Sequence, residues 1–209
     1  MRLLFALGLG LMLLLPRVAR ADESDVAART TVEKLNAVCL DVMKSARKLG
    51  YTGRYARLAP VLQKTFDFAA MARLSLGGRW KDLSAEQQTK FVETFGKLSV
   101  ATYAGRFVGY TGERFDILGE ETSAQSTVLV RTQVVIPEKP PVQLDYRLRV
   151  SPEGWRIIDV FFDGTVSELA LRRSEYTSVL DRDGFDGLIA ALNEKIEAFA
   201  AKPAPPSNS

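Results

Sequence analysis

Hydrophobic positions along this chain follow three successive patterns. From residue 22 to about 110 they recur every three or four residues, the spacing of a buried helix face. From about 113 to 162 they alternate with polar residues, the spacing of half-buried strands. From about 165 to 202 the helical spacing returns. Val26, Val32, Leu35, Val38, Cys39, Val42 and Met43 form the first stripe, and Gly50 is expected to end that helix. A shorter helix follows Gly53, with Pro60 expected in its first turns, where a missing N–H costs little. Phe66, Phe68, Met71, Leu74 and Leu76 make an apolar cluster broken by Gly77-Gly78. Ser84 and Gln87 have capping-box spacing and open a long amphipathic helix carrying Phe91, Phe95, Leu98, Thr102 and Phe107, with Tyr103 beside them.

The strand zone predicts an antiparallel meander. Phe115 and Ile117 mark a first, weak strand; Val128, Val130, Thr132, Val134 and Ile136 share one face of a second. Val142, Leu144, Tyr146, Leu148 and Val150 alternate with Gln143, Asp145, Arg147 and Arg149, giving a third strand with one dry and one wet face. Pro137 to Pro141 and Ser151-Pro152-Glu153-Gly154 make turns, and Trp155 to Phe162 is the fourth strand. Thr165 and Glu168 read as a second capping box, Asp183-Gly184 as a break, and Leu188, Ile189, Leu192, Ile196 and Phe199 as the last helix. The expected fold class is α+β, a four-stranded antiparallel sheet with helices before and after it. Residues 22–202 read as a single domain, and 203–209 as a disordered Pro/Ser/Asn tail.

Residues 1–21 read as a secretory signal peptide. Arg2 is the positive end, Leu3 to Leu15 the apolar stretch, Pro16 the break, and Ala19-Arg20-Ala21 the small-x-small cleavage site. The apolar run is shorter than the ~20 residues a membrane span needs. No cysteine follows the cleavage site, so lipid attachment there is not encoded. This leader changes the meaning of the charge. The full chain carries 28 basic and 25 acidic residues, but Arg2, Arg17 and Arg20 leave with the leader, so the exported chain is neutral.

The 209 residues include no histidine and one cysteine, Cys39. No Ser-His-Asp triad, Cys-His dyad, histidine metal site, CxxC motif or intramolecular disulfide can be built from them. Cys39 sits in an apolar stripe and reads as a small core residue. No cofactor and no metal is expected: Asp181, Asp183 and Asp186 lack the glutamate that would close a calcium loop. Arg47, Lys48, Arg54 and Arg57, or Arg172 and Arg173, make patches too thin for nucleic acid. An enzyme would have to rely on Asp159 or Asp163 near Tyr146, an acid and phenol pairing used by some cone-shaped isomerases. The aromatic helix and the dry sheet face either pack together as core or stand apart and line a cavity. Periodicity alone leaves both open.

Longer strings add to this. Phe66-Asp67, Met71-Ala72, Gly77, Trp80, Leu83-Ser84, Gln87, Phe91, Phe95, Ala101-Thr102-Tyr103-Ala104 and Tyr110 are followed by Gly154-Trp155-Arg156-Ile157, Asp159-Val160, Asp163-Gly164 and Ser167. In order and spacing the chain resembles the MlaC / toluene-tolerance family of periplasmic phospholipid-binding proteins over about residues 30–200. Gly53-Arg54-Tyr55-Ala56-Arg57-Leu58-Ala59-Pro60, Gly105-Arg106-Phe107, Tyr110-Thr111-Gly112-Glu113-Arg114-Phe115 and Ser167-Glu168-Leu169-Ala170 are similar to the hopanoid-biosynthesis-associated HpnM branch.

The resemblance implies an NTF2-like cone with an apolar cavity and no catalytic residue. It implies a soluble periplasmic carrier that moves phospholipid or a hopanoid-type lipid between inner- and outer-membrane transport complexes. It assigns no individual pocket positions. Periodicity nominates Phe91, Phe95, Leu98, Thr102, Val128, Val130, Val134, Leu144, Tyr146, Leu148, Val160 and Phe162 for the cavity. Arg172 and Arg173 are nominated for the headgroup or a partner. The alternatives are a small enzyme acting on a hydrophobic substrate and an adaptor that docks on a transport complex without carrying lipid.

Overall fold

The computed structural model describes residues 21–201 except residue 124, with side chains from Ala28 onward. The expectations for the leader through residue 20 and for the tail 203–209 lie outside the described residues. Helices α1 (Ala21–Lys44), α2 (Ala46–Thr65), α3 (Phe68–Leu76) and α4 (Ala85–Arg106) precede the sheet, and α5 (Glu168–Ala201) follows it. A short 3₁₀ segment, Gly77–Asp82, joins α3 to α4. Strands β1 (Arg114–Ser123), β2 (Thr127–Val135), β3 (Val142–Ser151), β4 (Gly154–Phe162) and the two-residue β5 (Val166–Ser167) form one antiparallel meander in chain order. The sheet therefore has five strands where four were expected.

The α4 cap forms as its sequence predicts. Gln87 N–H donates to Ser84 Oγ at 3.2 Å, and Ser84 N–H donates to Gln87 Oε1 at 2.9 Å. At α5 the expectation is corrected. Thr165 and Val166 are drawn into the turn and β5, so Ser167 caps the helix instead, accepting from Ala170 N–H at 3.0 Å.

Two glycines break helices at positive φ. Gly184 (φ 70°) interrupts α5 as expected. The first helix stops at Lys44 rather than at Gly50, and Gly50 (φ 59°) breaks the start of α2 instead. Pro60 stands well inside α2, not in its first turns. An interior proline costs a helix ~3 kcal/mol. Here the ring and Ala56, whose carbonyl loses its partner, are both exposed, so water can satisfy that carbonyl.

The sheet departs from simple alternation in two places. Val142 and Val150 are exposed, so the dry face of β3 narrows to Leu144, Tyr146 and Leu148. Asp145, expected to be wet, is 1% exposed. Its carboxylate accepts from Thr132 N–H (3.1 Å) and Gln143 Nε2 (2.9 Å), taking the place of a backbone partner where the β2–β3 ladder opens. In β4 a bulge at Ile158 puts Ile157 opposite Leu148 and Asp159 opposite Arg147. This lets Ile157, Val160 and Phe162 share the inner face.

Helix α1 crosses β1 to β4 on that inner face, and α4 packs between α2, α3 and α5. Val32, Leu35, Cys39, Val42, Leu58, Phe91, Phe95, Val130, Tyr146, Leu148, Ile157 and Leu188 are among the buried residues of one continuous core.

Candidate functional site

An interior cavity lies between the sheet and the helices. Its walls are Leu62 from α2, Phe66 just past the end of α2, and Phe68 and Met71 from α3; α4 contributes Ser99, Thr102, Tyr103 and Arg106, followed by Phe107. Leu144, Val160 and Phe162 close it from the sheet, and Glu168 and Arg172 from the start of α5. About 90 Å³ of free space remains between these side chains, well below the ~300–1,000 Å³ of an open ligand pocket. A ladder of aromatic rings holds the helical side together. Phe66 meets Phe68 at 5.7 Å and Tyr103 at 5.8 Å, and Tyr103 meets Phe107 edge-on at 5.5 Å.

The hydroxyl groups on the α4 wall do not make it polar. Ser99 Oγ donates back to the Phe95 carbonyl (2.9 Å), and Thr102 Oγ1 to the Leu98 carbonyl (2.8 Å). Both donors are thus spent within the helix, and the cavity sees mainly carbon. Tyr103 and Tyr146 hydrogen-bond to each other in the interior, and burial pushes both phenols above their ordinary range. The Cys39 thiol beside them is pushed up by burial alone.

Charge enters from the start of α5 and the end of α4. Arg172 Nη2 pairs with Glu168 at 2.6 Å, and its guanidinium lies 5.0 Å from the centre of the Phe95 ring. Arg106 is exposed and lies over the Phe162 ring at 5.8 Å. It has no carboxylate partner among the described residues.

The nominated residues divide. Thr102, Leu144, Val160 and Phe162 line the cavity. Phe91, Phe95, Leu98, Val128, Val130, Tyr146 and Leu148 are buried in the surrounding core, while Val134 is half-buried outside both. On α4 the reason is height. The stripe 91–95–98 faces inward at the level of Tyr176 and Phe68, and only its continuation 99–102–103–106 reaches the cavity. The two arginines also separate. Arg172 faces the cavity, whereas Arg173 donates to the Leu74 carbonyl (2.7 Å) and borders a different recess beside Asp159.

Sequence reasoning missed Leu62, Ser99, Arg106 and Glu168 as wall residues. It grouped Phe66, Phe68 and Met71 as apolar without assigning them a place. Only the crowding of aromatics at 66–68 and 103–107 could have pointed to them.

The pairing needed for acid and phenol chemistry does not form. The bulge turns Asp159 to the face opposite Tyr146. There its carboxylate accepts from Ser167 Oγ (2.7 Å) and Val160 N–H (2.8 Å) near the start of α5, and burial raises its pKa. Asp163 occupies a turn at φ 50°. Asp181 and Asp183 pair with Arg79 and Arg182. Among the described residues no group of three Cys, Asp or Glu is placed to hold a metal, and no helix is long and apolar enough to cross a membrane.

The family described as MlaC protein matches residues 33–194. Over 123 residues the chain is 28% identical to the intermembrane phospholipid transport system binding protein MlaC of Haemophilus influenzae. That match spans 57% of this chain and 57% of the relative's length. The fold is similar, at a TM-score of 0.72 and 25% identity, to a solved structure of a phospholipid-binding protein from Ralstonia solanacearum in complex with a phospholipid. The likeness covers 83% of this chain and 98% of that one.

Proposed function

Because the chain belongs to the MlaC family, we propose that it is a soluble, non-enzymatic lipid carrier of the periplasm. It takes a phospholipid or a hopanoid-type lipid by its apolar part and passes it between inner- and outer-membrane transport complexes. The observation that carries this reading is the likeness over nearly the whole length of a phospholipid-bound structure, together with an apolar cavity between sheet and helices.

The roles follow from the wall chemistry. Ser99, Thr102, Tyr103, Phe107, Leu144, Val160 and Phe162 contact the lipid's hydrocarbon. Arg106 faces the headgroup, since a cation stacked on an aromatic ring keeps its charge available to an anion, and Arg172, paired with Glu168, is the second candidate. Burial of hydrocarbon supplies the affinity, ~25 cal/mol per Å² of apolar surface, and no covalent step is needed. The cavity widens on loading, because 90 Å³ of free space is too little for an acyl chain.

The test is lipid extraction and native mass spectrometry of the mature protein purified from the periplasm of its own host. A stoichiometric lipid is expected, and its headgroup decides between phospholipid and hopanoid. Reproducibly lipid-free protein would overturn the reading.

A further inference from the structure

A further recess lies on the other side of α2, between α1, α2 and the turn joining β3 to β4. With about 820 Å³ of space it is roomier than the interior cavity, and it is open to solvent. Val38, Pro60, Val61 and Trp155 form its apolar floor, and Lys34 and Lys64 stand on its rim. Both lysines are exposed, and neither has a carboxylate partner among the described residues. The rim acid, Glu153, is occupied by Arg156 at 3.7 Å and Ser151 at 2.9 Å. In a mature chain with equal numbers of basic and acidic residues, this groove has a locally positive edge around a carbon floor.

We infer that this groove is a docking site for a protein segment that presents an apolar ridge flanked by carboxylates. The two free lysines call for acid on the partner. The half-buried Trp155 is the kind of side chain that anchors such contacts. The concave shape requires a ridge to fill it, whereas a bilayer surface takes up a protruding apolar face. Pro60 also finds a reason here: a residue that disfavours the helix interior contributes its ring to the groove wall.

The inference deepens the carrier reading by naming the chemistry of the partner. It rests on that reading only for the purpose of docking. The link between the two is α2 itself. Val61 and Thr65 face the groove while Leu62, and Phe66 just past the helix end, face the cavity, so a ridge seated in the groove bears on the cavity wall. Arg156 fixes this end of α2 by donating to the Gln63 carbonyl at 2.6 Å.

The test places photo-reactive benzoylphenylalanine at Val61 of the full chain in its host and maps the adduct. The expected adduct is a stretch of an envelope protein with spaced apolar residues and flanking Asp or Glu. A synthetic peptide of that stretch should bind the purified mature protein in calorimetry. Lys34→Glu with Lys64→Glu should weaken it at least tenfold while leaving circular dichroism and lipid content unchanged. An adduct to lipid, to a second copy, to the chain's own residues 1–20, or none at all overturns the proposal. So does a basic or uncharged partner stretch, or a peptide affinity indifferent to the two lysines. Lipid extraction from the same preparations keeps the two readings separable: lipid-free protein with the acidic adduct sinks the carrier alone, and lipid-loaded protein without it sinks the docking site alone.

Discussion

Ser99 offers a direct test of the cavity, because its side chain is small, buried and bonded only to its own helix. Ser99→Leu adds two heavy atoms to the α4 wall. The free space beside it, about 90 Å³, equals roughly three waters at ~30 Å³ each, so the branched end fits without forcing its neighbours. No partner is orphaned, since the Phe95 carbonyl keeps its backbone bond within α4. At ~0.8 kcal/mol per buried methylene, the lipid-free protein should gain about 1.5 kcal/mol. For a chain of this size that raises Tm by about 3–6 °C. A hydrocarbon chain competing for the same space should lose a similar amount, about tenfold in affinity. Urea unfolding of delipidated protein measures the first effect and native mass spectrometry at limiting lipid the second, with Ser99→Ala as the neutral control. Destabilisation by 1–3 kcal/mol would mean that the wall is already full. Higher stability with undiminished lipid would mean that lipid sits elsewhere.

Other parts of the molecule give independent tests. Arg54 is 5% exposed and ties α2 to the last turn of α4, donating to the carbonyls of Ala104 (2.8 Å) and Ala46 (3.2 Å); Arg54→Met should cost about 2–3 kcal/mol in urea unfolding, and a loss below 0.5 would refute its role as a clamp. Asp159 has a raised pKa because burial disfavours its charge, so the stability gained by protonating it is present below the ordinary carboxylate range and lost as pH rises through the folded value. Asp159→Asn stays neutral throughout, and its stability relative to the native protein should therefore fall as pH is lowered from 7 to 4; parallel pH profiles would refute this. The buried Cys39 thiol is held protonated, so a thiol reagent at pH 8 should label it no faster than the chain unfolds, and prompt labelling without denaturant would contradict its burial.

Most of the architecture was legible because local signals and tertiary packing agree. The Ser84–Gln87 spacing, the inward run of Leu144, Tyr146 and Leu148 in β3 and the Gly184 break each state a backbone requirement that nothing elsewhere overrides. Misreadings occur where a distant contact decides. Asp145 looks like a wet strand residue until a gap in the β2–β3 ladder gives its carboxylate two donors. Thr165 looks like a cap until pairing with β4 claims the residues after it. The cavity was legible as a face but not as a height. Periodicity puts Phe91 and Thr102 on the same side of α4, yet which of them meets empty space depends on where α3 and α5 cross, and that is absent from a period of 3.6.

The narrowness of the cavity bears on how such a carrier lets go. In the proposed carrier, loading would part the edge-to-face contacts of Phe66 and Phe107 with Tyr103, at ~0.5–1.5 kcal/mol each. A hydrocarbon chain that buries ~300 Å² returns ~7 kcal/mol. The loaded state is then favoured, but by a margin that a partner can reverse. A ligand shifts such an equilibrium only by its differential affinity for the two shapes, so a partner must prefer the closed shape by the remaining ~4–6 kcal/mol, a factor of about 10³–10⁴. A preformed, spacious pocket would keep the whole 7 kcal/mol on the side of retention. Helix α2 is the natural lever, since Leu62 and the Phe66 that ends it line the cavity while Val61 and Thr65 line the groove. A segment that binds the groove more tightly when the cavity is closed would expel the lipid with no input beyond its own binding.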